Sequence, residues 1–493
     1  MQYLLVFIFF YAFCLAQFVC AGPVIGAAGS AGSRNLRLLD NTTFLFEYHR
    51  HTLGAERLFF TYPRRNYGFV QDFATTERRA LIYFADTLGE GLGVRRFAIA
   101  ASPLFGLDYR GGEIVGIQGD TIWPGVDAGI YLRGYVDSLD FDLDTRFYIE
   151  KHSASPAQSF DGEYFDDTNY MRYRVHLGFN YAWARLSIAR DVLHWGPGYY
   201  NNLTFNQYAL PYNMVYLDLI FGPLHVFSIY TSLYETDWDS GRQINKRNLY
   251  AHRYELTFGN LTVGLSEIQV LYGENKPWLF TPIVPLFIEK GNYTEQVNNG
   301  ALAFDVNYRL FQFARLYGEF FLDDMTSPIA LYKNRYSNNR WAGMFGMQIA
   351  HDFYVEHRLL QLGSIFEIAR IEPYTYCHYD YAPALMAHQG YPVGNPNGPN
   401  SLIIDWTLYG KYWLYGKLNV FVGIHNKWKW KGEDNGSDIY DPYETKRKRF
   451  IHDAKLHYSL TPTINFHGER FGFSGEYSFF DDYFVNIRMF FMI

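Results

Sequence analysis

From about residue 95 onward the apolar residues of the chain recur at every second position, and this period constrains the fold more than any other feature. In LDFDLDTRFYIE, Leu139, Phe141, Leu143, Phe147 and Ile149 share one face of an extended chain, while Asp140, Asp142, Asp144, Arg146 and Glu150 share the other. MRYRVHLGFNYAW repeats the pattern, with Met171, Tyr173, Val175, Leu177, Phe179, Tyr181 and Trp183 set against Arg172, Arg174, His176 and Asn180. YFVNIRMFFMI keeps it in weaker form, because Phe484, Phe490 and Met492 join Asn486 and Arg488 on the second face. Such strands have one dry side and one charged side, which suits a soluble sandwich or a membrane barrel.

Composition separates the two. Aromatic residues make up 19% of the chain, well above ordinary globular usage, and no long apolar run follows residue 21. That disfavours a helical membrane protein and suits strands whose Tyr, Trp and Phe sit at lipid–water interfaces. A net charge of −7, with the basic residues scattered, argues against nucleic-acid binding. Of the three cysteines, Cys14 and Cys20 lie in the first 21 residues, so Cys377 is left without an internal disulfide partner once those are removed.

The opening MQYLLVFIFFYAFCLAQFVCAGPV has an apolar run too short to span a bilayer and a small-residue exit at Ala21, the form of a secretory signal over residues 1–21. A lipoprotein box at Cys20 fits less well, since Gln17 and Phe18 stand where Leu and a small residue belong. GPVIGAAGSAGS then reads as a leader, and QDFATTERRALIYFADTLGE spaces Phe73, Ala80, Leu81, Phe84 and Leu88 as an amphipathic helix. The division expected is a leader and small helical segment over 22–93, followed by a barrel over 94–493. The fold class is all-β: a transmembrane antiparallel barrel of roughly 18 strands, with short turns such as SFFDDYF on the periplasmic side and long loops outside.

Three stretches in the same order resemble capsule assembly proteins of the Wzi family: RDVLHWGPGYYNNLTF, then FARLYGEFFLDDM with WAGMFGMQI after it, then PYTYCHYD with GYPVGNPNGPNS. They span roughly residues 185 to 405. The resemblance implies an outer-membrane barrel of about 18 strands, an N-terminal periplasmic plug, and a lectin-like role in holding capsular polysaccharide at the surface of a Gram-negative cell. It implies no catalysis and no cofactor. Polysaccharide and outer-membrane lipid are the partners it implies, with polysaccharide export machinery as a further one.

Polysaccharide binding needs flat rings for sugar C–H faces and planar polar groups for paired hydroxyls. Tyr374, Tyr376, Tyr379 and Tyr381 with His378, Asp380 and His388 supply both, and Tyr374, Tyr376, His378 and Asp380 would share one side if the segment were extended. The competing reading is that these tyrosines pack inside the barrel and brace the loop. Trp195 and Tyr199 (with Tyr200) are further stacking candidates, set against a structural corner at Gly196, Pro197 and Gly198. Gly390, Gly394 and Gly398 read first as shape.

Metal and catalytic patterns are weak. His49 and His51 share a strand face with no third ligand nearby, and HDFYVEH has the wrong spacing for a zinc protease helix. GFSGEY is half a nucleophile elbow, and GEGLGVRR has Val94 where a dinucleotide loop needs glycine. Paired carboxylates at Asp323 and Asp324, or Asp481 and Asp482, would face opposite sides of a strand or water at a turn. The alternative function is a porin-like sugar channel; an outer-membrane hydrolase is a more distant one.

Overall fold

A computed structural model describes residues 61–62, 97–113, 123–136, 139–150, 162–164, 169–181, 183–206, 211–237, 242–273, 275–289, 298–311, 313–324, 339–355, 358–378, 385–388, 391–414, 418–441, 448–467, 471–480 and 483–492. The expected signal, leader and helix, and the His49/His51 and GEGLGVRR stretches, lie outside these residues.

Among the described residues, eighteen long strands close into one antiparallel barrel. They are β1 (Phe97–Glu113), β2 (Trp123–Val136), β3 (Leu139–Glu150), β4 (Asn169–Tyr181), β5 (Ala184–Asp191) and β6 (Tyr212–Phe221). Next come β7 (Leu224–Asp237), β8 (Arg242–Phe258), β9 (Leu261–Leu271), β10 (Asn298–Phe311), β11 (Ala314–Asp324) and β12 (Arg340–Val355). β13 (Arg358–Ile371), β14 (Ser401–Leu414), β15 (Leu418–Lys431), β16 (Lys455–His467), β17 (Phe471–Phe480) and β18 (Tyr483–Met492) complete the ring. Each pairs with the next in sequence, and β18 pairs with β1 from Leu104↔Met492 to Glu113↔Tyr483, which leaves the sheet without an edge. Closure on itself rules out the sandwich.

The period of two sets which side chains face lipid. On β4 and β5, Val175, Leu177, Phe179, Tyr181, Leu186 and Ile188 are exposed, Ile188 by 62%, whereas the alternate His176, Arg185 and Ser187 are buried. Exposed leucine and isoleucine beside buried arginine inverts a water-soluble sheet and matches a lipid-facing wall around a polar interior. Leu362, Leu408, Val422 and Ile424 continue that belt around the barrel.

Connections at 137–138, 182–183, 222–223, 259–260, 312–313, 356–357, 415–417 and 468–470 are short and share one end, the periplasmic one in barrels of this kind. Those at 151–168, 192–211, 272–297, 325–339, 372–400 and 432–454 lie at the other end. The 481–482 turn of SFFDDYF also belongs to this long-loop end, because β17 ascends to it and β18 descends from it. β5 and β6 run for only 8 and 10 residues, against 14 and 17 in β7 and β8. The loop between β5 and β6 thus leaves the wall low and has room to enter the lumen.

Candidate functional site

Inside the barrel the loop over 192–206 meets the loop over 372–400, and both are tied to acidic side chains on the wall. Trp195 is fully buried, with Phe205 and Phe227 edge-on to its ring at centroid distances of 5.0 and 5.7 Å. His194–Trp195 also pairs antiparallel with Thr61–Tyr62. Gly196 then adopts φ +108°, and a Cβ there would lie 2.8 Å from Glu319 Oε2. The Pro197 carbonyl accepts from Arg315 Nη2 at 3.2 Å, and Gly198 N–H donates to Asn202 Oδ1 at 2.6 Å. A side chain at Gly198 would strike that same oxygen. The corner is therefore shaped by close approach, which only glycine permits.

Two carboxylates gather the residues that come after this corner. Glu367 on β13 accepts the backbone N–H groups of Tyr199, Tyr200 (2.9 Å) and Asn201 (3.0 Å), the Asn201 amide at 3.2 Å and the Tyr317 hydroxyl at 2.8 Å. Glu319 on β11 accepts Leu203 N–H at 2.8 Å, Thr204 N–H at 2.9 Å and the Thr204 hydroxyl at 2.5 Å. Consecutive N–H groups converging on a buried carboxylate form a nest, and a charge taken from water needs that many donors. Asn201 reaches a third acid, Asp405 on β14, at 2.6 Å, and Asp405 also pairs with His425 at 2.7 Å. Tyr200 stacks flat on His425 with centroids 4.3 Å apart and hydrogen-bonds Thr407 at 2.6 Å.

The aromatic loop braces this assembly from above. Its residues 373–376 form a turn, with Tyr374 at φ 66° and Tyr376 at φ 73°. The extended arrangement that would align Tyr374, Tyr376, His378 and Asp380 is thus replaced by two left-handed residues, and Tyr379, Asp380 and Tyr381 lie outside the described residues. Tyr376 is fully buried: its N–H donates to Asp323 at 2.8 Å, its hydroxyl donates to Leu203 O at 2.8 Å and accepts Asn395 N–H at 3.2 Å. Burial pushes that phenol well above its ordinary pKa. Asn395 closes the circuit by donating to Asn201 Oδ1 at 3.2 Å.

Gly394 sits where a Cβ would be 2.1 Å from Leu203 O, and Gly398 has φ +68°; Gly390 is outside the described residues. The Tyr374 ring lies against Gly436 of the 432–454 loop, and Tyr374 N–H donates to Gly436 O at 2.9 Å. His388 is buried against Tyr212, donates to Pro211 O at 3.3 Å, and is held neutral by burial with a pKa near 3. His378 is buried too.

Of the candidates for sugar stacking, Trp195, Tyr199, Tyr374 and Tyr376 are thus placed in the interior among protein partners, and Tyr200 keeps partial exposure. The residues that tie the site together, Glu319, Glu367, Asp323 and Asp405, are not among those candidates. Asp323 at the end of β11 is buried against the aromatic loop and Asp324 is half exposed, and both reach Arg340, at 4.0 and 2.9 Å. One group of possible metal ligands stands among the described residues: Asp434, His452 and Asp453, within 4.8 Å of one another. His452 Nδ1 there already contacts both carboxylates, at 3.2 and 2.9 Å, on the long-loop surface.

No family model matches the sequence, and no curated protein does. Among solved structures the chain is similar to Wzi of Escherichia coli, described as an outer-membrane protein involved in group 1 capsule assembly and a carbohydrate-binding β-barrel. That likeness has a TM-score of 0.56 at 12% identity and covers 94% of this chain and 99% of that one. A BenF-like porin from Pseudomonas fluorescens (TM-score 0.44, 7% identity, 81% and 98% covered) and OccAB1 of Acinetobacter baumannii (0.39, 10%, 80% and 96%) also match. The fold is that of a bacterial outer-membrane β-barrel.

Proposed function

We propose that this barrel belongs with the Wzi-like proteins and binds capsular or surface polysaccharide without catalysing a reaction, holding it at the cell surface. The observation that supports this reading is the cross-tied pair of lumenal loops. A route for free solute diffusion needs an open lumen, whereas here 192–206 and 372–400 cross it and are hydrogen-bonded to wall acids on β11, β13 and β14. The glycan then rests on loop faces that remain exposed at the long-loop end. The 432–454 loop offers Tyr440, 42% exposed, beside Asp438, and is seated on Tyr374 through Gly436. Repetition of weak contacts along one long chain by many barrels supplies retention.

Two assays on the refolded protein test this together: single-channel conductance in a planar bilayer, and retention of the host's extracted surface polysaccharide. A closed barrel that retains polysaccharide is expected. Large steady conductance without retention would make the protein a channel.

A further inference from the structure

The β9–β10 connection, LYGENKPWLFTPIVPLFIEKGNYTEQVNNG, reads in sequence as one more long polar loop, yet its residues 275–289 fold down onto the outside of the barrel wall. On β8 the inward side chains include Arg247, which donates to Ala387 O of the lumenal loop, and Arg253, which pairs with Asp305 at 2.6 Å. The alternate residues Asn248, Tyr250, His252 and Tyr254 therefore point outward. By the same test Ser228 and Tyr230 of β7 point away from the lumenal core that holds Phe227 and Ile229, and Glu267 and Gln269 of β9 point away from Ile268 and Val270.

Register aligns Ser228 with His252 and His252 with Glu267, a polar row across three adjacent strands on the face that elsewhere meets lipid. Bare to hydrocarbon, such a row is costly. Residues 275–289 cover it. Ser228 donates to Phe280 O, Tyr254 to Pro282 O at 2.5 Å, Leu286 N–H to Glu267 at 2.7 Å, and Lys276 N–H to Tyr250 at 2.8 Å. Leu279 and Leu286 are buried with Tyr250 and Leu271 in a cluster separate from the lumenal core. This is a strap with a polar fastening and an apolar back: in PWLFTPIVPLFI, residues 277–288, Thr281 is the one polar residue, and Trp278, Ile283, Phe287 and Ile288 are exposed, Ile283 by 73%.

We propose that the back of this strap docks into the acyl-chain layer of the membrane's outer leaflet. It adjoins the lipid-facing wall, where Phe304 of β10, one strand over from Leu265 and in the row of Tyr254, is exposed by 51%. Lys276, with its ammonium 5.5 Å from the Trp278 ring, marks the headgroup border where cation and indole belong. Glu289 closes the apolar run at its other end. The strap thus replaces lipid against a polar stretch of wall and itself presents lipid with hydrocarbon. This inference rests on the outer-membrane location and is independent of the polysaccharide reading.

The test labels Ile283→Cys in liposomes with an environment-sensitive thiol fluorophore, the unsubstituted chain with its buried Cys377 giving the background. Phe304→Cys on the wall and Asp453→Cys on the outer loop are the references. Expected is a blue-shifted label at Ile283→Cys, quenched by spin-labelled acyl chains as strongly as at Phe304→Cys and shielded from iodide. Iodide quenching equal to that at Asp453→Cys, without quenching by lipid, would overturn the proposal. So would shielding from both quenchers with formation of an Ile283→Cys disulfide dimer, which would make the occupant a second copy.

Discussion

Gly196 and Glu319 stand so close that the first carbon of any side chain at Gly196 would lie 2.8 Å from the Glu319 carboxylate oxygen. The contact joins a lumenal loop to a wall strand, and it defines what substitution does at each point of the network.

Gly196→Ala combines this contact with a backbone at φ +108°, so the loop must shift or the carboxylate must turn from Leu203 and Thr204. A loss of about 1–3 kcal/mol is expected, read as a lower urea midpoint of the heat-modifiable folded band. An unchanged midpoint would show that the corner relaxes freely.

Glu367→Gln keeps the shape but presents one carbonyl oxygen and an amide donor to the N–H groups of Tyr199, Tyr200 and Asn201. At least one buried donor loses its acceptor, at about 1–3 kcal/mol. Hydrogen exchange should rise at 199–201 with the barrel strands still protected, and brief openings should appear in bilayer recordings.

Tyr376→Phe removes one hydroxyl that both donates to Leu203 O and accepts Asn395 N–H. Destabilisation of about 1–3 kcal/mol is expected, together with unchanged polysaccharide retention by the protein that remains folded. Retention lost at full stability would instead make the ring a ligand contact.

His388 supplies a pH dependence. Its folded pKa, near 3, lies below the ordinary value of 6.5, with burial as the main cause and Arg190 and Arg247 adding to it. The neutral ring is the folded form, so its contribution is complete above about pH 6.5 and declines by about 1.4 kcal/mol per unit as pH falls from there towards 3. Urea midpoints measured from pH 7 to pH 5 should fall, and His388→Gln should flatten the slope.

The barrel was legible because its physics is local: alternation at Val175, Leu177 and Phe179 against His176 states which face is dry, and aromatic content names lipid as the solvent. The motifs fall on loops that pack into the lumen, since Trp195, Tyr376, Leu385, Met386 and Val393 join the buried core there. What sequence did not disclose was direction. A tyrosine-rich turn has the same composition whether it faces a sugar or a neighbouring carbonyl, and the φ values of Tyr374 and Tyr376 depend on Gly436, Asp323 and Leu203, distant in the chain. The wall acids were visible in part: Glu319 in RLYGEFFLDD shares a face with Arg315 and Asp323, whereas Glu367 in SIFEIAR shares one with Ile365 and Ala369 and gives no such sign. Nothing in that alternation states that backbone N–H groups would converge on them. The strap at 277–288 was hidden by its polar flanks.

The sequence separations of these ties also set an order of assembly. Leu203 lies 116 residues before its partner Glu319, and Tyr199 lies 168 before Glu367. No local contact can substitute for acceptors that arrive so late, and closing such long intervals is slow. The 199–204 loop can be fastened at both carboxylates only once β11 and β13 are both in place. A chain ending before residue 358 would keep Glu319 for Leu203 and Thr204 but lack Glu367 for Tyr199, Tyr200 and Asn201, so the loop would be held at one end of the run and loose at the other.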